Sequence, residues 1–210
     1  MNRLPGSVRQ LVAALRGLLV FTVICGIAYP LVIFVIGQVA FNHGANGSLV
    51  KVNGKVVGSS LLCQEFVNAK GNPLPQYFQS RPSNATSGAS NDYGCDALYS
   101  AATNLGPNNS TLVQLIKARQ KAISAFDHVS VSAIPPDAVT ASGSGLDPDI
   151  TPQNAAIQVD RVAAARHISP AVVRALVAKY TSGRQLGILG EPVVNVLLLN
   201  IALDQSHPVP

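Results

Sequence analysis

The chain has 210 residues, room for one ordinary domain plus an appendage. It is 48% hydrophobic and only 12% charged, where an average soluble domain carries about 25% charge, so a single domain solvated on all sides is a poor description. The net charge of +5 does not imply nucleic-acid binding: three of the fifteen basic residues lie before the first apolar run, leaving twelve against ten acidic beyond it, a net of +2. No basic stretch interleaved with aromatics exists there.

The apolar excess is concentrated in GLLVFTVICGIAYPLVIFVIG, residues 17–37, which holds no charge. At 1.5 Å per residue this run crosses a ~30 Å hydrocarbon layer as a helix. Pro30 is tolerated there because neighbouring groups re-satisfy the freed carbonyl. A cleaved leader would have a shorter apolar core and a small-x-small cleavage site, so the run reads as a retained anchor. Arg3, Arg9 and Arg16 precede it, and the next basic residue is Lys51. The positive-inside rule places residues 1–16 in the cytoplasm and the domain over 42–210 outside. Within the span, Gly26 and Pro30 stand four apart, a small-x-x-x-small spacing that lets a second helix approach closely.

Beyond the span, Asn53-Gly54 between β-branched runs predicts a hairpin with a type I′ turn. Residues 61–110 show little periodicity and are rich in Asn, Gly, Pro and Ser; either short strands and turns hide there or the segment lies against a partner. Cys63 and Cys95 share the outer compartment, and their spacing leaves a disulfide open. STLVQLIKARQKAISAF (110–126) has helical spacing, with Ser110 or Thr111 as cap. HVSVSAI (128–134) reads as a short extended run. Thr151-Pro152 and Ser169-Pro170 each place a capping hydroxyl before a proline at the first helical position, predicting helices over 153–168 and 171–181. The tail EPVVNVLLLNIALD (191–204) suits helix or strand, with helix favoured from Pro192. The whole reads as a mixed α/β (α+β) domain behind one transmembrane helix.

The loop TASGSGLDPDITP (140–152) looks reactive but fails each motif test. Ser142 and Ser144 lack the glycine two residues before them that a nucleophile elbow needs. Asp147 and Asp149 are followed by Thr151 where a calcium loop needs its third ligand. Gly143 and Gly145 suit turns, Asp147-Pro148 starts another, and no P-loop or H-E-x-x-H occurs anywhere in the chain. No catalytic, metal or cofactor-binding residue is expected, and Ser142, Gly143, Ser144, Gly145, Leu146 and Asp147, with Gly26 and Pro30, are the candidate partner surfaces.

In order, YP in the span, ANGSL, YFQSRPS, NLGPNNSTL, VTASGSGLDPDITP, QVDRVAAAR and LGILGEPVVNVLLLNIALD resemble the C subunit of the Kdp potassium-transporting ATPase, from about residue 15 to Asp204. Asp149 stands where that family commonly has histidine, and SAATNLGP where it commonly has a second glycine-rich run. The resemblance implies an accessory subunit of a bacterial inner-membrane complex. Its partners would be a channel-like A subunit handling potassium, an ATP-hydrolysing B subunit and a small F subunit. It further implies a catalytic-chaperone role that raises the ATP affinity of the B subunit; the alternatives are a membrane-anchored extracytoplasmic hydrolase using Ser142 or Ser144 and a module that binds the nucleotide directly.

Overall fold

A computed structural model describes residues 5–89 and 93–209. Two units separate, one up to Leu49 and one from Val50 onward.

The first unit is a continuous helix of 35 residues, Gly6–Ala40, long and apolar enough to cross a membrane. At 1.5 Å per residue it is about 50 Å long, so the ~30 Å apolar layer needs only part of it. None of its residues is buried within the helix's own unit. Arg9 and Arg16 lie on its N-terminal half; Arg3 lies outside the described residues. The helix comprises α1 (Gly6–Phe21), a π-helical stretch (Thr22–Ala28) and α2 (Tyr29–Ala40). Pro30 has no N–H to give the carbonyl of Gly26, and its ring crowds that carbonyl; the wider π turn just before it relieves the clash. A four-residue helix, α3 (Asn42–Ala45), follows.

The expected hairpin is present: β1 (Leu49–Val52) pairs with β2 (Lys55–Ser59). Asn53 and Gly54 both have positive φ, +51° and +77°, as a type I′ turn requires. A three-stranded antiparallel sheet has the order β3 (Asp149–Ile150), β5 (Val193–Asn195), β4 (Thr181–Ser182). The helices are α4 (Ser110–Asp127), α5 (Pro136–Val139), α6 (Pro152–Ala165), α7 (Pro170–Lys179) and α8 (Val196–Ser206). The core lies where α6, α7, α8 and the sheet meet, around Phe78, Ile150, Val159, Val162, Val173, Val194, Leu199 and Leu203. A smaller cluster, Ile134, Ala138 and Val139, gathers Ile116, Ile123 and Ile157 around it.

Several expectations hold in detail. Thr151 accepts from Asn154 N at 3.1 Å and Ser169 from Val172 N at 3.4 Å, each before a proline. Others need correction. The cap of α4 is Asn109, not Ser110 or Thr111: its side chain accepts from Thr111 N and Leu112 N. The run 128–134 is not extended; Val131–Ala133 form a 3-10 turn. The tail is strand and helix in succession. Val193–Asn195 lie between two strands, and only then does Asn195 cap α8 by accepting from Leu198 N at 3.1 Å. Helix α7 stops at Lys179 because Thr181-Ser182 are drawn into the sheet.

Candidate functional site

The irregular segment around residues 75–79 has no strand partner, yet its backbone groups are occupied. Phe78, fully buried, donates its N–H to Asn200 Oδ1 and accepts from Asn200 Nδ2, both at 2.9 Å. One residue on, Gln158 does the same for Gln79, accepting from its N–H at 2.7 Å and donating to its carbonyl at 3.2 Å. Two buried side-chain amides thus replace a neighbouring strand. Guanidinium groups hold the residues before them. Arg161 donates to the carbonyls of Pro75 and Tyr77, and Arg166 to that of Gln76.

Both arginines are buried and charge-paired. Arg161 Nε meets Asp127 Oδ1 at 2.6 Å, and Arg166 Nη2 meets Asp204 Oδ1 at 2.7 Å. Each guanidinium also lies over a ring, Arg161 over Phe126 at 4.4 Å and Arg166 over Tyr77 at 5.0 Å. Burial pushes the Asp127 carboxyl above its ordinary value, with Arg161 pulling against the rise. The three stretches YFQSRPS, QVDRVAAAR and VNVLLLNIALD are therefore one bonded unit.

The loop 140–149 is the second knot. Gly145 is buried at φ +73°, where an added Cβ would lie 2.6 Å from the carbonyl oxygen of Ala101. Its carbonyl accepts from Ser83 Oγ at 2.6 Å. The Ser144 carbonyl takes Ala101 N at 2.9 Å and Ser100 Oγ at 3.0 Å, and that of Leu146 takes Cys63 N at 3.1 Å. Asp147 forms an ion pair with Arg81 at 2.7 Å. The Ser142 and Ser144 hydroxyls accept from Gly145 N and Leu146 N, closing the turns. Of the six loop candidates, Gly143 and Ser144 are exposed, Gly145 is buried, and Ser142, Leu146 and Asp147 are half-buried. A disulfide between Cys63 and Cys95 fastens the same region, settling the pairing that spacing left open. Gly26 and Pro30 belong to the other unit, exposed along its helix.

Between these knots lies a cavity of about 290 Å³, lined by Glu65, Arg81, Arg119, Phe126 and Gln158 among others. Burial raises the Glu65 carboxyl from 4.5 to about 7. Glu65 and the buried polar side chains of Gln158, Arg161, Arg166 and Asn200 escaped the sequence reading. The signal was present in QVDRVAAAR, where Gln158, Arg161 and Arg166 interrupt an inward-facing helical stripe. Among the described residues no group of three or more metal-ligating side chains comes together.

The molecule is thus a small α+β domain carried behind one membrane-length apolar helix, its loops fastened by side-chain bonds and a disulfide. Residues 11–205 match the family described as KdpC: K+-transporting ATPase, c chain, and the chain belongs to that family. It is 53% identical over 194 residues to the potassium-transporting ATPase KdpC subunit of Sorangium cellulosum, covering 92% of this chain and 96% of that one. The same-named subunit of Paraburkholderia phytofirmans is 48% identical over 186 residues, covering 89% of this chain and 91% of the relative. That of Streptomyces avermitilis is 44% identical over 215 residues, 97% of each chain.

Proposed function

We propose that this chain is the accessory subunit of an ATP-driven potassium-uptake pump of the bacterial inner membrane, performing no chemical step itself. The observation that carries this reading is the family match across residues 11–205, which takes in the apolar helix and the outer domain together. Gly6–Ala40 is the anchor, with Arg9 and Arg16 on the cytoplasmic side and the domain from about residue 42 outside. The Cys63–Cys95 bond supports that placement, since disulfides persist in oxidising compartments.

The partners are a channel-like A subunit, an ATP-hydrolysing B subunit and a small F subunit. The exposed Gly143-Ser144 edge of the knotted loop and the Gly26–Pro30 face of the span are the contact surfaces. From outside, the domain is separated from a cytoplasmic nucleotide by ~30 Å of hydrocarbon, so it cannot contribute to that site directly. It raises the ATP affinity of the B subunit by binding one state of its partners better than another. Its seat is over the potassium entrance.

A tag placed after Pro210 tests the topology. Protease added to intact spheroplasts should remove it; protection until lysis would refute the outer placement. Comparing the ATP dependence of the assembled pump with and without this subunit tests the coupling. An unchanged KM for ATP would end that part of the reading.

A further inference from the structure

The cavity of about 290 Å³ takes its walls from α4, α5, α6 and the segment 79–82. Two guanidinium groups that line it hold consecutive backbone carbonyls. Arg119 Nη1 donates to Val139 O at 2.9 Å, and Arg81 Nη2 reaches Thr140 O at 3.5 Å. Like charges from distant parts of the chain are thereby drawn together. Carboxylates do not match them in number. Asp147 pairs with Arg81, and Asp127 pairs with Arg161. Among the described residues no carboxylate forms an ion pair with Arg119.

Three further observations point to a missing anion. Arg81 Nε is buried and has no hydrogen-bond partner among the described residues. A buried donor left unmade costs free energy, which one more acceptor in the cavity would recover. Burial pushes the Arg119 guanidinium below its ordinary value, as expected of a cation in poor solvent without compensation. The remaining carboxyl of the lining, Glu65, is raised to about 7, so burial opposes its acting as the counter-ion. The other walls include Pro82, Ile123, Phe126 and Ala138, which are apolar.

We propose that this cavity binds a small organic monocarboxylate, its carboxylate shared by Arg119 and Arg81 Nε and its apolar body against Ile123 and Phe126. One uncompensated cation calls for one negative charge, which disfavours a phosphate dianion or a nucleoside triphosphate. A planar guanidinium matches a carboxylate, and apolar walls call for an apolar body. A cavity of about 150 Å³ holds benzene, so this one has room for a single ring or short branched chain with its acid group. The proposal goes beyond the accessory-subunit reading and stands apart from it.

Titration calorimetry on the full chain in mild detergent at neutral pH tests the site, with 3-phenylpropionate, benzoate and isovalerate as probes. At least one should bind saturably with a Kd of about 1 mM or below. The alcohol of the same skeleton should bind at least tenfold more weakly. Arg119→Gln should weaken the acid at least tenfold and leave the alcohol unchanged, which neither detergent partitioning nor lost packing would produce. Arg81→Lys keeps a cation for Asp147 without the Nε donor and should weaken the acid at least threefold. Ala122→Phe should fill the cavity and abolish binding of both. Lys117→Gln, exposed on the same helix, should match wild type. Saturating acid should raise the thermal midpoint of wild type and of Lys117→Gln, and leave that of Arg119→Gln in place. If Arg119→Gln does not fold, Arg81→Lys and Ala122→Phe carry the test. Equal affinity for acid and alcohol, full binding by Arg119→Gln, an equal loss for Lys117→Gln, or no binding of any probe would each overturn the site. Displacement of the acid by lower concentrations of inorganic phosphate or ATP would overturn the carboxylate assignment. So would its loss on assembly with the pump subunits, which would place a partner's own carboxylate in the cavity. None of these outcomes touches the accessory-subunit reading.

Discussion

Glu65 shows how placement alone changes a residue's chemistry. Burial raises its carboxyl from 4.5 to about 7. The folded state therefore holds a proton that the unfolded chain releases above about 4.5. Between those values the folded form binds more protons, so stability falls as pH rises and levels off above about 7. Glu65→Gln should abolish this slope, leaving the variant more stable than wild type at pH 8 by ~1–3 kcal/mol and little different near pH 4.5. Urea midpoints measured at both pH values check this; parallel profiles would show the carboxyl to be solvated. Nothing in LCQEF announced the effect, because neighbours contributed by residues 73–82 and α4 create the dry surroundings. Gly145 is a gentler case. Its need for a turn was legible from GSGLDP, but its closeness to the Ala101 carbonyl depends on a segment more than forty residues away.

Elements were legible where the signal is local. Asn53-Gly54 makes its turn through its own backbone freedom, and Thr151-Pro152 and Ser169-Pro170 start their helices through bonds within one turn. The tail was misread because VVNVLLLN carries no decisive period. Pairing with β3 and β4 makes its first three residues strand. Asn195 is the pivot: it caps α8 through Leu198 N and donates from Nδ2 to Ser60 O at 2.9 Å and Asp149 Oδ1 at 3.0 Å. Asn195→Ala should lose the cap, about 1 kcal/mol, and a further ~1–2 kcal/mol for the two bonds. Chemical denaturation of the purified chain checks it, and a loss below about 0.5 kcal/mol would show that water or neighbours substitute for the amide. In the membrane-length helix, the proline was legible and its π-helical accommodation was not.

For the whole molecule, long irregular stretches must be fastened without a continuous sheet. Side chains do much of this: Asn200 and Gln158 stand in for a strand, two buried arginines gather four carbonyls, and one disulfide closes a 32-residue separation. Removing that bond with Cys63→Ser and Cys95→Ser should cost up to about 3–4 kcal/mol, as loop-closure entropy predicts for such a span. Wild type in strong reductant should show the same drop in denaturation midpoint, and the double variant no response to reductant. If reductant leaves wild type unchanged while non-reducing gels show the bond broken, native contacts alone hold the loop.

What could be read along the chain is whatever depends on neighbours in sequence: a membrane-length apolar run, its arginine-bearing flank, hairpin and cap chemistry, and motifs specific enough to name a family. Those properties rest on interactions closing within a few residues, or on a count of apolar side chains against a fixed thickness. The pairing of Cys63 with Cys95, the raised carboxyl of Glu65, the amide-for-strand exchange at Phe78 and the convergence of Arg81 and Arg119 on one cavity came from the folded chain alone. Each depends on which distant atoms are brought within bonding distance, or kept out of it.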